Sequence, residues 1–195
     1  MFLLAKPTRD TIDRFIEDAK HQSFSYPEIG SSQTSPPLGY NIDHNRIQLG
    51  SGHDAFQAAR QAIREWKMFA FPWIDLCRPD TPIEVGQTVA ILARHFGFYS
   101  LNASRIVYVI DEHDRYGFAY GTLTEHGEVG EERFSVEYHT GTGEVWYDLF
   151  AFSRPGHILA KLGYPLSRYL QHEFAKESLQ AMYRAVAARA GLSAE

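Results

Sequence analysis

Four residues within seven positions, His126, Glu128, Glu131 and Glu132, could do chemistry together. A histidine beside carboxylates can hold a metal ion or pass a proton. Metal binding needs further ligands at set spacings, yet the sequence has no HExxH, no second histidine at ligand spacing and only one cysteine. No metal is expected. His126 reads as a turn histidine held by its own carboxylates, and it stays a candidate for ligand contact.

Proton transfer is the better-motivated chemistry, and it rests on Glu132. Side chains alternate faces along a strand. Glu132, Phe134, Val136 and Tyr138 therefore share one face, and Glu131, Arg133, Ser135 and Glu137 the other. This predicts Glu131 among solvated charges and Glu132 turned inward. A carboxylate on an apolar face has a raised pKa unless it is paired, which makes Glu132 a candidate general acid or base. The plainer expectation is a buried salt bridge to Arg105, Arg154 or Arg168.

Two more polar residues interrupt apolar sets. Asp148 shares a strand face with Trp146, Phe150 and Phe152; either that face is the half-exposed outside of a sheet, or Asp148 meets a cation inside. Gln171 falls in the apolar arc of a C-terminal helix, to be satisfied by backbone or to orient a ligand. A nucleophile is harder to find. Cys77 lies in a proline-bounded loop with no obvious histidine partner, and "GSG" at 50–52 fits neither a GxSxG elbow nor a phosphate loop. It reads as a strand end and a helix cap, with Ser51 as N-cap.

The elements that must position these groups follow from periodicity. "PTRDTIDRFIEDAKHQ" predicts a short helix capped by Thr8, followed by a loop rich in Ser, Pro and Gly. "HNRIQLG" predicts a strand. A second helix then carries Ala55, Ala59, Ala62, Ile63, Trp66, Phe69 and Ala70 on one stripe. "FPWIDLCRPDTP" is expected to be a loop or an irregular helix. From Val85 the period is two, with strands predicted in "VGQTVAILAR", "SRIVYVID", "YGFAYGTL", "EERFSVEYH" and "EVWYDLFAFS" joined as an antiparallel meander. In "YGFAYGTL" the Gly117, Ala119, Gly121 face invites close approach. A long helix from about Pro165 closes the chain with Leu170, Phe174, Ser178 and Met182 on its apolar arc.

That order is α+β. The economical packing lays the C-terminal helix across a curved antiparallel sheet, behind a short helical N-terminal extension. The expected organisation is an extension over 1–40 and a single α+β domain over 41–195, within the size that buries one core. A net charge of −5 without a basic run argues against nucleic acid. "MFLL" is too short for a signal-peptide core, no apolar run is long enough to span a membrane, and a lone cysteine fits a reducing compartment. A cytoplasmic location is the expectation, and no cofactor motif is found.

Several segments together resemble a family of bacteria and plants known only as domain of unknown function nineteen-ninety. They are "LGSGHDAFQAA" with Trp66 and Trp73, "PIEVGQTV", "RIVYV", "GFAYGTL" with His126 and "GEERF", "EVWYDLFAFSRP" and "YPLSRYLQHEF". The family implies no activity. The element order is also similar to the START-like helix-grip superfamily, which implies an apolar cavity between sheet and helix. On that likeness the expected function is a binding module for a small apolar or aromatic ligand. Phe118, Tyr120, Phe134, Trp146 and Phe174 would form its walls, with His126, Glu132, Asp148, Arg168 and Gln171 as polar contacts. The alternatives are an enzyme using Glu132 in a cyclase- or hydrolase-like reaction, and an interaction protein with a filled core.

Overall fold

The computed structural model describes residues 1–124, 126–156 and 164–190. Eight strands form one antiparallel sheet. In chain order they are β1 (Phe2–Leu3), β2 (Asn41–Ser51), β3 (Ile74–Leu76), β4 (Thr88–Arg94), β5 (Tyr99–Asp111), β6 (Arg115–Thr122), β7 (Glu128–Tyr138) and β8 (Glu144–Pro155). Their order across the sheet is β2-β8-β7-β6-β5-β4-β3, and β1 takes the length of β5 that β6 leaves open. Helix α1 (Arg9–Ala19) precedes β2, α2 (His53–Arg64) follows it, and α3 (Tyr164–Ala190) ends the described chain. Among the described residues no helix is long and apolar enough to cross a membrane.

The sheet curls around α2 and α3, as the α+β reading expected. Ala55, Ala59, Ala62 and Ile63 of α2 are buried with Phe118, Phe134, Val136 and Tyr147, and Ala181, Met182 and Val186 of α3 close the same core. Small residues let the helices approach the sheet, and aromatics fill the space that curvature opens. At the centre Ser178 of α3 meets the Tyr147 hydroxyl at 3.0 Å, so that buried polar pair is satisfied.

Several local expectations are corrected. The N-cap of α2 is Gly52, with no side-chain cap, because Ser51 still pairs with Glu144 in the sheet. The helix stops at Arg64, short of the aromatic end of its stripe. Trp66 adopts a left-handed conformation, φ 56° and ψ 30°, that turns the chain into the 3-10 turn Lys67–Phe69. Its ring nevertheless enters the core, 4.9 Å from Phe118, and its Nε1–H donates to the Thr81 carbonyl at 3.0 Å. Holding a bulky residue at positive φ costs on the order of 1–3 kcal/mol, offset here by burial of the indole. The loop expected at "FPWIDL" contains the edge strand β3, and β5 begins five residues before "SRIVYVID".

The outer face of the sheet is covered too, by residues before β2. Phe15, Ile16 and Ala19 of α1 pack on Ala90, Leu92, Leu101 and Ala103. Farther along, Tyr26 lies against Gly121, where a Cβ would overlap its hydroxyl, and edge-on to Phe152. The glycine-rich face of β6 therefore makes room for this N-terminal strap.

Candidate functional site

The concave face does not close completely on α3. A cavity of ≈ 420 Å³ lies between the sheet and the first turns of that helix, open to solvent as the described residues bound it. Ile91, Leu149, Leu166, Leu170 and Phe174 supply apolar wall, and Phe2 of β1 stands at its edge with Phe98. Its polar lining includes Asp43, Tyr120, Glu128, Glu132 and Gln171, with the histidines His95, His126 and His172.

Register explains why these meet. Across the inner face Glu132 of β7 pairs with Ala151 of β8, and Ala151 with Asp43 of β2, so two acids flank one alanine. Beside Glu132 on the other side is Tyr120 of β6, whose hydroxyl donates to Glu132 Oε2 at 2.7 Å. Burial pushes the Glu132 carboxyl up to about 7; the Tyr120 bond opposes that shift and the Asp43 charge adds to it. The same burial and the Glu132 charge push the Tyr120 hydroxyl well above its ordinary range. Glu132 is thus able to exchange a proton near neutrality.

Asp43 is engaged differently. Arg168 of α3 grips it with both terminal nitrogens, at 2.6 and 2.7 Å, and passes a 2.7 Å hydrogen bond to Gln171 Oε1. Gln171 Nε2 in turn donates to Ser153 Oγ at 3.3 Å. This chain ties the start of α3 to β2 and β8 across the cavity. Glu128 also faces the space, with its pKa raised by burial against the charge of Arg168. His126 Nδ1 lies 3.0 Å from the Glu128 amide, which can donate to it, and burial lowers the ring pKa to about 4. His126 is therefore neutral at pH 7.

Comparison with known proteins places this architecture. Residues 25–181 match the family described as Domain of unknown function (DUF1990). The chain belongs to the DUF1990 family. A UPF0548 protein of Deinococcus radiodurans is 37% identical, over 95% of this chain and 98% of that one. A UPF0548 protein of Arabidopsis thaliana is 35% identical, over 88% and 87%. Bacterial and plant members are thus both represented. Among solved structures, a point mutant of norcoclaurine synthase from Thalictrum flavum, in complex with a transition-state analogue, is similar with a TM-score of 0.50. That likeness covers 77% of this chain and 96% of that one at 14% identity, and it shows the fold alone.

In this DUF1990 chain the residues singled out from sequence divide three ways. Tyr120, His126, Glu132, Gln171 and Phe174 line the cavity. Arg168 stands behind that lining, bound to Asp43. Phe118 and Phe134 do not reach the cavity: they stack at 5.3 Å and are fully buried in the core beneath it. Trp146 and Asp148 are on the opposite, outer face, which corrects their assignment as ligand contacts. Asp148 is buried there beside a histidine and two arginines, 2.6 Å from His44 Nε2, 3.1 Å from Arg46 Nε and 2.9 Å from Arg133 Nη2.

The expected salt bridge to Glu132 is also corrected. Arg105 donates to the Ala19 and Lys20 carbonyls, Arg154 lies over the Tyr40 ring, and Arg168 is held by Asp43. Among the described residues Glu132 makes no ion pair. Glu131, expected in solvent, is buried on the outer face. It accepts from the Tyr26 hydroxyl at 2.6 Å, the Gly30 amide at 2.8 Å, the Ser32 amide at 3.1 Å and the Ser32 hydroxyl. Asp43 was a charged cavity residue that sequence reasoning missed. Its signal was the alternation Asp43, Asn45, Ile47, Leu49, visible once β2 is extended three residues toward its start.

Proposed function

We propose that this DUF1990 chain is a binding module whose cavity takes one small, mainly apolar molecule with a polar group at the Glu132–Tyr120 end. The observation that carries this reading is the space itself. Its ≈ 420 Å³ falls within the range of small-molecule sites, and its walls are apolar with a few convergent polar groups. Left dry and empty, a space of that size would cost on the order of 10 kcal/mol, comparable to the stability of a whole domain. As the described residues bound it the space is open, so an apolar molecule would take the place of solvent there. The rival reading, an interaction protein with a filled core, leaves this space unaccounted for. Native mass spectrometry of the protein isolated from its own cells tests the reading. A co-purifying small molecule supports it, and a bare chain under conditions that preserve complexes counts against it.

A second reading has one specific observation in its favour. A carboxyl with a pKa of about 7, on the wall of a space large enough for a substrate, is suited to general acid or base catalysis. Under this reading Glu132 passes a proton in a cyclase- or hydrolase-like step, with Tyr120 fixing the carboxyl. The two readings part at Glu132→Gln, which would abolish turnover in an enzyme yet leave a binding module able to bind.

A further inference from the structure

We propose that the molecule this cavity selects is a small organic amine, its cationic nitrogen against Glu132 and its apolar body against Leu149, Leu170 and Phe174. The proposal rests on the binding-module reading and adds the charge of the ligand. Among the described residues lining the cavity there is no lysine or arginine. The nearby guanidinium, Arg168, is spent on Asp43, Gln171 and His172. Of the three histidines among the described residues lining the cavity, His126 and His95 have their pKa lowered by burial, and His172 Nε2 lies 3.2 Å from the Arg168 guanidinium.

Against this stand two acids without an ion pair among the described residues, Glu132 deep in the space and Glu128 four residues along the same strand face. Glu132 Oε2 receives the Tyr120 hydroxyl, while its Oε1 receives no hydrogen bond among the described residues. A ligand carboxylate or phosphate would therefore enter a site with two like charges and, among the described lining residues, no lysine or arginine to compensate it. An ammonium group supplies what the site lacks. It offers N–H donors to Glu132 Oε1 and a counter-charge that stabilises the ionised carboxyl. The aromatic rings of Tyr120, Trp73 and Phe174, all on the cavity wall, can take the remaining face of a cation.

Three probes of one shape separate charge from burial: 1-naphthylmethylamine, 1-naphthalenemethanol and 1-naphthoate, titrated calorimetrically at pH 7.5. The expected order is amine, alcohol, acid, with at least about a tenfold gain in affinity from alcohol to amine. Glu132→Gln is expected to bring the amine-to-alcohol ratio within about threefold of one. In the wild type the same ratio should shrink at pH 5.5 as Glu132 takes up a proton. The groups facing the same space are Tyr120 from β6, Asp43 from β2, Glu128 and His126 at the start of β7, His95 after β4, and Arg168, Gln171 and His172 from α3. The pH arm needs no variant, so it stands even if Glu132→Gln fails to fold. Saturable binding in which the alcohol or the acid equals the amine overturns the amine proposal and leaves the binding module intact. A preference for the amine that survives Glu132→Gln or low pH also overturns it. No saturable binding by any of the three overturns both.

Discussion

The Glu131 and Glu132 carboxylates point to opposite faces of one strand and are satisfied in opposite ways. Glu131, 3% exposed, is saturated by four donors from Tyr26, Gly30 and Ser32. Among the described residues Glu132 receives one, from Tyr120. The first fastens the N-terminal strap to the sheet, and the second faces the cavity. Ser32 extends the fastening, since its hydroxyl meets Tyr108 Oη at 2.7 Å and its carbonyl accepts from Arg133 at 2.6 Å.

Glu131→Ala should therefore destabilise strongly, by about 3 kcal/mol or more, because it leaves a tyrosine hydroxyl and two amides buried without an acceptor. Urea melts measure this. A loss below about 1 kcal/mol would mean the strap is not held by this carboxylate.

Glu132 should make stability depend on pH in the opposite sense to most carboxylates. Its folded pKa, about 7, lies above its ordinary 4.5, so the folded state favours the protonated form. The stability this confers is complete below pH 4.5 and is lost as pH rises toward 7 and beyond. The loss is on the order of 3 kcal/mol. Glu132→Gln cannot ionise, so its stability relative to wild type should climb by about that amount between pH 4 and pH 8. A difference that stays flat across the range would show that Glu132 is ionised at little cost.

His126 should behave as a neutral ring well into acid. With its pKa lowered from 6.5 to about 4, the stability it contributes is present above pH 6.5 and lost as pH falls through 4. Ring resonances followed by NMR should titrate near pH 4. A midpoint near 6.5 would place His126 in solvent rather than against Glu128.

How much of this was legible in the sequence is clearest in β7. Alternation gave the register, and so it gave Glu132 to the concave face. What alternation cannot report is what covers the other face. Glu131 was read as solvated because Tyr26, Gly30 and Ser32, its donors, lie about a hundred residues earlier in the chain. Asp148 and Trp146 were ambiguous for the same reason. The period-two pattern says that they share a face, and only the sheet's curl decides which face that is. Of the five aromatic residues named as walls, Tyr120 and Phe174 line the cavity and Trp146 is on the outer face. Phe118 and Phe134 lie where α2 covers the sheet. The stop of α2 at Arg64 was not legible, because the apolar stripe runs on through a left-handed Trp66 that preserves its burial but not its helix.

The Asp43–Arg168 pair should act as the latch of α3. Arg168→Met removes the cation and leaves Asp43 facing the cavity beside Glu132, so destabilisation of about 1–3 kcal/mol is expected at pH 7, discounted from a fully buried pair because both side chains are about one-fifth exposed. Asp43→Asn in the same background should recover part of that loss. Melts of the two variants measure it, and a double variant no more stable than Arg168→Met would dissociate the pair from the latch.

The central claim is that the concave space admits a small apolar molecule. Its most direct test is fluorescence titration with uncharged N-phenyl-1-naphthylamine, comparing wild type with Ala151→Phe, which fills the space between Glu132 and Asp43. The expected result is saturable emission enhancement at one probe per chain in the wild type, lost in Ala151→Phe while its melting temperature holds. Enhancement absent from the wild type, or equal in a folded Ala151→Phe, would contradict it.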